Sequence, residues 1–191
     1  MYTMKKIFQF STVVSAATAL LISCNSSNSS QLNEKIKSPE AELQKYKSEK
    51  ELTEQHIIRF DSLDFNIYSN QKWDEINISH ANNILVHYPD GHTTDKLSPH
   101  IDEMKPMFTF APDTRVVAHP VKFGSGDWTC IIGQTEGTFT EPMAIGGGKF
   151  ISPTGKKFSL PMVTIGKWEN GKMIEEYLFW DNAGFAKQIG L

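Results

Sequence analysis

Glu176 is the carboxylate best placed for acid–base chemistry. It lies in the run Ile174-Glu175-Glu176-Tyr177-Leu178-Phe179-Trp180, and strand alternation puts Ile174, Leu178 and Trp180 on its own face. A carboxylate among such neighbours has its pKa raised by desolvation, which suits proton transfer near neutral pH. A rim carboxylate, or one paired with a lysine, is the competing reading. His119 shares a strand face with Val117, Val121 and Phe123. It is a base or ligand clamp if that face lines a cavity, and a hydrogen-bonded core histidine if it does not. Glu136 and Gln134 share a face with Trp128, which either enters the same cavity or faces solvent. Trp128, Met143, Met162 and Trp180 would give an adaptable aromatic lining to a small hydrophobic molecule, with plain core packing as the rival.

His80, His87, His92 and His100 crowd one stretch, but their spacing matches no standard ligand pattern and Pro89-Asp90-Gly91 is accounted for as a turn. No metal and no cofactor are expected. Cys130 reads as a small buried hydrophobe, and no nucleophile–base pair stands out. Asp181 stands where a closing helix begins, the place of an N-cap.

The elements that must position these groups are helices first and strands after. Ile57, Phe60, Leu63 and Ile67 recur at close to helical spacing, Trp73-Asp74-Glu75-Ile76 reads as a second short helix, and Ile84 to Tyr88 as a strand. Ser98-Pro99 supplies a cap and first-turn proline for a third helix whose inner face is Ile101, Met104 and Phe108, with Pro106 kinking or ending it. Val116–Phe123, Trp128–Phe139, Phe158–Trp168 and Met173–Trp180 are strands, and Asn170-Gly171 is a strong hairpin signal between the last two. Residues 140–157 are Gly/Pro-rich and read as a loop or flap. Helices followed by antiparallel strands make the class α+β. A curved sheet over the helices would leave a pocket between them.

The chain has 191 residues with 39% hydrophobic content, which suits a single globular domain, here 52–191. A net charge of −3 with no basic stripe argues against nucleic acid as a partner. Residues 1–23 read as a secretory signal: Lys5 and Lys6 precede an apolar run from Phe8 to Ile22. Leu21-Ile22-Ser23-Cys24 matches a bacterial lipobox, so Cys24 is the expected lipidation site and membrane anchor. An ordinary signal peptide with an incidental cysteine is the alternative. Residues 24–51 then form a tether, Asn/Ser-rich and afterwards Lys/Glu-rich, with helical support from pairs such as Glu42–Lys45. The expected location is the bacterial cell envelope, on the periplasmic or cell-surface side.

Three helices, a bent antiparallel sheet and a closing helix resemble the NTF2-like cone. Within it the chain is similar to the SnoaL-like group, often labelled polyketide or ester cyclases. Trp73-Asp74-Glu75, Tyr88-Pro89-Asp90-Gly91, Gly133 with Gly137, Gly171-Lys172 before Ile174-Glu175, and Asp181-x-x-Gly184-x-x-x-Gln188-Ile189-Gly190 carry the resemblance. It implies a small-molecule pocket in the mouth of the cone, with a last-strand aspartate transferring the proton and a histidine on the preceding strand assisting. Threading the ending without gaps puts that aspartate at Leu178 and that histidine at Thr164, and neither residue present does that chemistry. Glu176 and His119 remain as candidate catalytic groups. Trp128, Glu136, Met162, Thr164, Leu178 and Trp180 are the candidate lining. In related cones the open sheet face serves as a dimer surface, so a homodimeric, non-enzymatic module is the alternative function.

Overall fold

The computed structural model describes residues 26–191. The signal peptide and Cys24 lie outside the described residues. The described residues divide between Lys45 and Tyr46 into two units, and Tyr46–Leu191 holds the sheet and everything that follows. Among the described residues no helix is long and apolar enough to cross a membrane.

Helix α1 spans Ser26–Ser62, so helical structure begins within the stretch whose composition suggests a tether. Its last turns bury Thr53, His56 and Phe60, and a π-helical turn, Leu63–Ile67, continues the stripe with Leu63 and Ile67. Side chains help hold that widened turn. Ser69 Oγ donates to the Asp64 carbonyl at 2.6 Å, and Asn70 Nδ2 donates to the Phe65 carbonyl at 3.0 Å. The expected second helix is a 3-10 segment, Trp73–Ile78.

Strands β1 (His80–His87) and β2 (Thr93–Thr94) precede helix α2 (Leu97–Phe110). Ser98 does not cap α2: the cap position is Lys96, with no side-chain hydrogen bond, and the helix runs through Pro106 to Phe110. Strands β3 (Arg115–Ser125), β4 (Trp128–Thr138), β7 (Lys157–Glu169) and β8 (Lys172–Phe179) follow, with the two-residue strands β5 (Met143–Ala144) and β6 (Phe150–Ile151) forming a separate ribbon. The main sheet has the order β2-β1-β8-β7-β4-β3, antiparallel except for the parallel pair β1–β8. Asn170 and Gly171 both take positive φ, 51° and 74°, the backbone a tight β7–β8 turn requires. Helix α3 (Asn182–Ile189) closes the chain, and Asp181 caps it by accepting from the Gly184 N–H at 2.9 Å.

Alternation along β4 separates the two sheet faces. Thr129, Ile131, Gly133, Thr135 and Gly137 are buried, while Trp128, Cys130, Ile132, Gln134 and Glu136 lie on the other side. Inside, one apolar cluster joins Phe60, Leu63, Ile67, Ile84, Ile131, Trp168 and Met173, and a second joins Phe110, Phe139, Phe158, Leu160 and Ile189. The class is α+β, with a curved, mostly antiparallel sheet packed on the helices.

Candidate active site

A cavity of about 300 Å³ opens between the sheet and the helices. Its walls are mostly apolar: Phe60 and Leu63 from the end of α1 and the π turn, Met104, Met107 and Phe110 from α2, and Leu160, Met162 and Leu178 from the sheet. Trp180 and Phe185 close one side. Three carboxylates line it: Glu103 on α2, and Asp64 and Glu176, which enter from opposite layers of the fold.

Glu176 is 4% exposed on β8, paired with Val86 of β1 and Gly166 of β7. Its Oε2 lies 3.3 Å from His100 Nε2 and 3.8 Å from His80 Nε2. Desolvation was expected to raise its pKa. Burial does push the carboxyl up, but the two histidines pull it down and prevail, so the net direction is below the usual carboxylate range. His100 is pushed down to about 4, first by burial and then by His80, against the attraction of Glu176. Its Nδ1 meets the Tyr88 hydroxyl at 2.8 Å. Burial is also the main cause that pushes Tyr88 up to about 12, so this hydroxyl keeps its proton.

The second polar centre was not foreseen. His119, with its side chain 1% exposed, does not line the cavity. Its Nδ1 is 2.7 Å from Asp61 Oδ1 and its Nε2 2.8 Å from Asp64 Oδ2, and it is Asp64 that faces the cavity. A neutral imidazole has one N–H, and ionised carboxylates only accept. The two contacts therefore need an extra proton, held either on the ring or on Asp64. Burial pushes Asp64 up, while burial pushes His119 down and its two carboxylate partners more than restore it, leaving it raised. Lys122 anchors the far side by donating to Asp61 Oδ2. The π turn aims Asp64 inward while Asp61, one turn earlier, stays on the His119 side.

Of the residues read from sequence, Glu176, Met162, Thr164, Leu178 and Trp180 line the cavity. Thr164 and Leu178 are direct cross-strand partners, so the family's two catalytic positions do face each other inside it. Trp128 and Glu136 are corrections. Both sit on the outer sheet face, where Trp128 is 40% exposed and Glu136 accepts from Ser159 Oγ at 3.0 Å. Cys130, on that same face, is half-buried and not a core residue. His119 is a positioning residue behind Asp64. Asp64 looks ordinary in its own element, and His80 and His100 stand out in the sequence only as two of four crowded histidines whose spacing matches no ligand pattern. His100 falls beside the apolar face of α2, and Asp64 lies on the polar side of a helical pattern that the π turn rotates. His80, His100 and Glu176 bring three donor atoms within 4.8 Å of one another, a set drawn from two strands and a helix that histidine spacing alone could not reveal.

Three solved structures share this fold. IdmH from Streptomyces antibioticus, a proposed polyketide cyclase, matches 72% of this chain and 99% of its own at 18% identity, with a TM-score of 0.62. A proposed SnoaL-like polyketide cyclase from Jannaschia sp. CCS1 matches 72% of this chain and 93% of its own at 18% identity and a TM-score of 0.60. A protein with a ketosteroid isomerase-like fold from Catenulispora acidiphila, at 11% identity, covers 73% of this chain and 95% of its own with a TM-score of 0.56. At these identities they establish the fold alone. No curated protein matches the chain by sequence. The family model described as SnoaL-like polyketide cyclase matches residues 63–189, and with that match this chain belongs to the SnoaL-like polyketide cyclase family.

Proposed function

We propose that this is a lipid-anchored protein of the bacterial cell envelope whose SnoaL-like domain binds a small, fairly apolar molecule and turns it over by acid–base chemistry of the cyclase, isomerase or hydrolase type. The signal-like start and the lipobox ending at Cys24 support the anchoring. The observation that carries the chemistry is Asp64, a carboxylate in an apolar cavity with a shared proton behind it on His119. Such a group can take a proton from carbon next to a carbonyl and return it, while an apolar wall holds the rest of the guest. Asp64 replaces in role, though not in position, the acid that Leu178 and Thr164 no longer supply. Glu176 is a further buried carboxylate in the cavity, fixed by its histidines, and a countercharge for polar atoms of the guest.

The test uses β-tetralone, a bicyclic enolisable ketone of suitable size, in heavy water. Wild-type protein is expected to exchange the ketone's α-protons for deuterium faster than buffer, and Asp64→Asn to lose about 10²-fold or more of that rate. Exchange that is unchanged in Asp64→Asn rules out this assignment.

A second reading, a homodimeric scaffold, has its own support. The outer face of the sheet exposes Val121, Phe123, Trp128 and Phe179, at 40–58%. An apolar face of this breadth on the side away from the cavity fits a second copy of this chain. It does not compete with the cavity for any residue.

A further inference from the structure

We infer that His80, His100 and Glu176 form a binding site for one divalent first-row transition-metal ion, of the zinc or ferrous class. The inference goes beyond the acid–base reading and does not depend on turnover at Asp64.

Three observations carry it. All three side chains are buried, at 2%, 2% and 4% exposure, and their donor atoms lie within 4.8 Å of one another. Two of those atoms, His80 Nε2 and Glu176 Oε2, have no hydrogen-bond partner. A buried polar atom left unpaired is destabilising, more so when charged, so two facing each other ask for something between them. The outer ring nitrogens have partners that hold the inner ones in place. Ser79 Oγ lies 3.0 Å from His80 Nδ1 and 3.2 Å from the Ile76 carbonyl, and with its proton on the carbonyl it accepts from His80 Nδ1–H. In that tautomer a bare Nε2 lone pair faces a carboxylate oxygen. Two acceptors then face each other across 3.8 Å, and a cation satisfies both.

His100 is held in the same way. Its Nδ1 contacts Tyr88 Oη and its Nε2 points at Glu176, so both imidazoles have an outer hydrogen-bond partner that orients the inner nitrogen, the arrangement found behind metal-bound histidines. Two imidazoles and one carboxylate suit zinc or ferrous iron and leave coordination positions open. Tetrahedral zinc places its ligand atoms about 3.3 Å apart, and the separations from Glu176 are already 3.3 and 3.8 Å. All three residues line the cavity, so the open positions would face its guest.

The test is titration of the purified, chelator-treated full chain with Co(II), a coloured substitute for zinc. We expect visible d–d absorption that saturates at one equivalent per chain, and Zn(II) that removes it in competition. Glu176→Gln and His100→Gln, each checked for folding by circular dichroism, should weaken binding at least about tenfold. Asp64→Asn should leave cobalt binding unchanged while losing proton exchange, which separates this claim from the acid–base reading. A folded wild type with no saturable band overturns the proposal. So does a band that survives in both substituted proteins, because the ion is then held elsewhere.

Discussion

Asp64 and His119 share one hydrogen bond, 2.8 Å between Oδ2 and Nε2, and its proton sits either on Asp64, leaving both groups neutral, or on the ring, leaving a carboxylate opposite an imidazolium. One end of that bond belongs to the wall of an apolar cavity and the other is locked by Asp61 and Lys122. The family's acid position, 178, is a leucine packed against the core, and the carboxylate beside His119 that lines the cavity comes from the helical layer.

Stability should depend on pH through this pair. The folded pKa values of His119 and Asp64 are both raised, so the stability each contributes is complete below its unfolded value and is lost as pH rises through the folded value. Asp61 has the opposite sign. Burial alone would raise it, but Lys122 and His119 hold it down, and its contribution is lost at the acid end as pH falls through its folded value. The charged groups facing His119 are Asp61 and Asp64, with Lys122 on Asp61. Urea denaturation at pH 6 and pH 8.5 is expected to show a larger loss in wild type than in His119→Gln. Equal losses would remove the shared proton from the account.

Putting the family's acid back should be costly. Leu178→Asp places a carboxylate two residues from Glu176 on the same face, against Leu63 and its neighbours, with no cation offered to it. The expected loss is about 3 kcal/mol in chemical denaturation. A change within about 0.5 kcal/mol would mean that position 178 is solvated.

The outer sheet face should govern assembly. Phe123 and Phe179 are 58% and 49% exposed, on the face that also carries Trp128. Sedimentation of the wild-type chain is expected to show a dimer that Phe123→Glu with Phe179→Glu converts to monomer. A wild-type monomer at high concentration would dispose of the scaffold reading.

Much of the fold was legible in the chain. The four long strands appear within two residues of where alternation placed them, and Asn170-Gly171 makes the turn its chemistry demands. The cavity side of β7 and β8 was legible for the same reason, since Met162, Thr164, Glu176 and Leu178 follow a period of two. Trp128 and Glu136 went astray because alternation groups residues by face and does not say which face is inner. The inner face of β4 is instead the sparse set Thr129, Ile131, Gly133 and Thr135, which reads as less apolar than the outer one. Asp64 was hidden by a π turn, whose extra residue shifts the helical phase that a 3.6-residue pattern assumes. The Glu176 histidines were hidden by distance along the chain: one starts β1, the other lies on α2, and only the parallel β1–β8 pairing brings His80 toward Glu176.

The most direct test of the central claim, that this cavity receives a small apolar guest, is calorimetric titration of the full chain with β-tetralone beside Met162→Trp, which fills the cavity from the sheet side. Wild type should show one saturable site. Met162→Trp should bind at least about tenfold more weakly while its melting temperature stays close to wild type, because the added ring occupies cavity space and not packed core. No saturable binding in wild type, or equal binding by the two proteins, would contradict the claim.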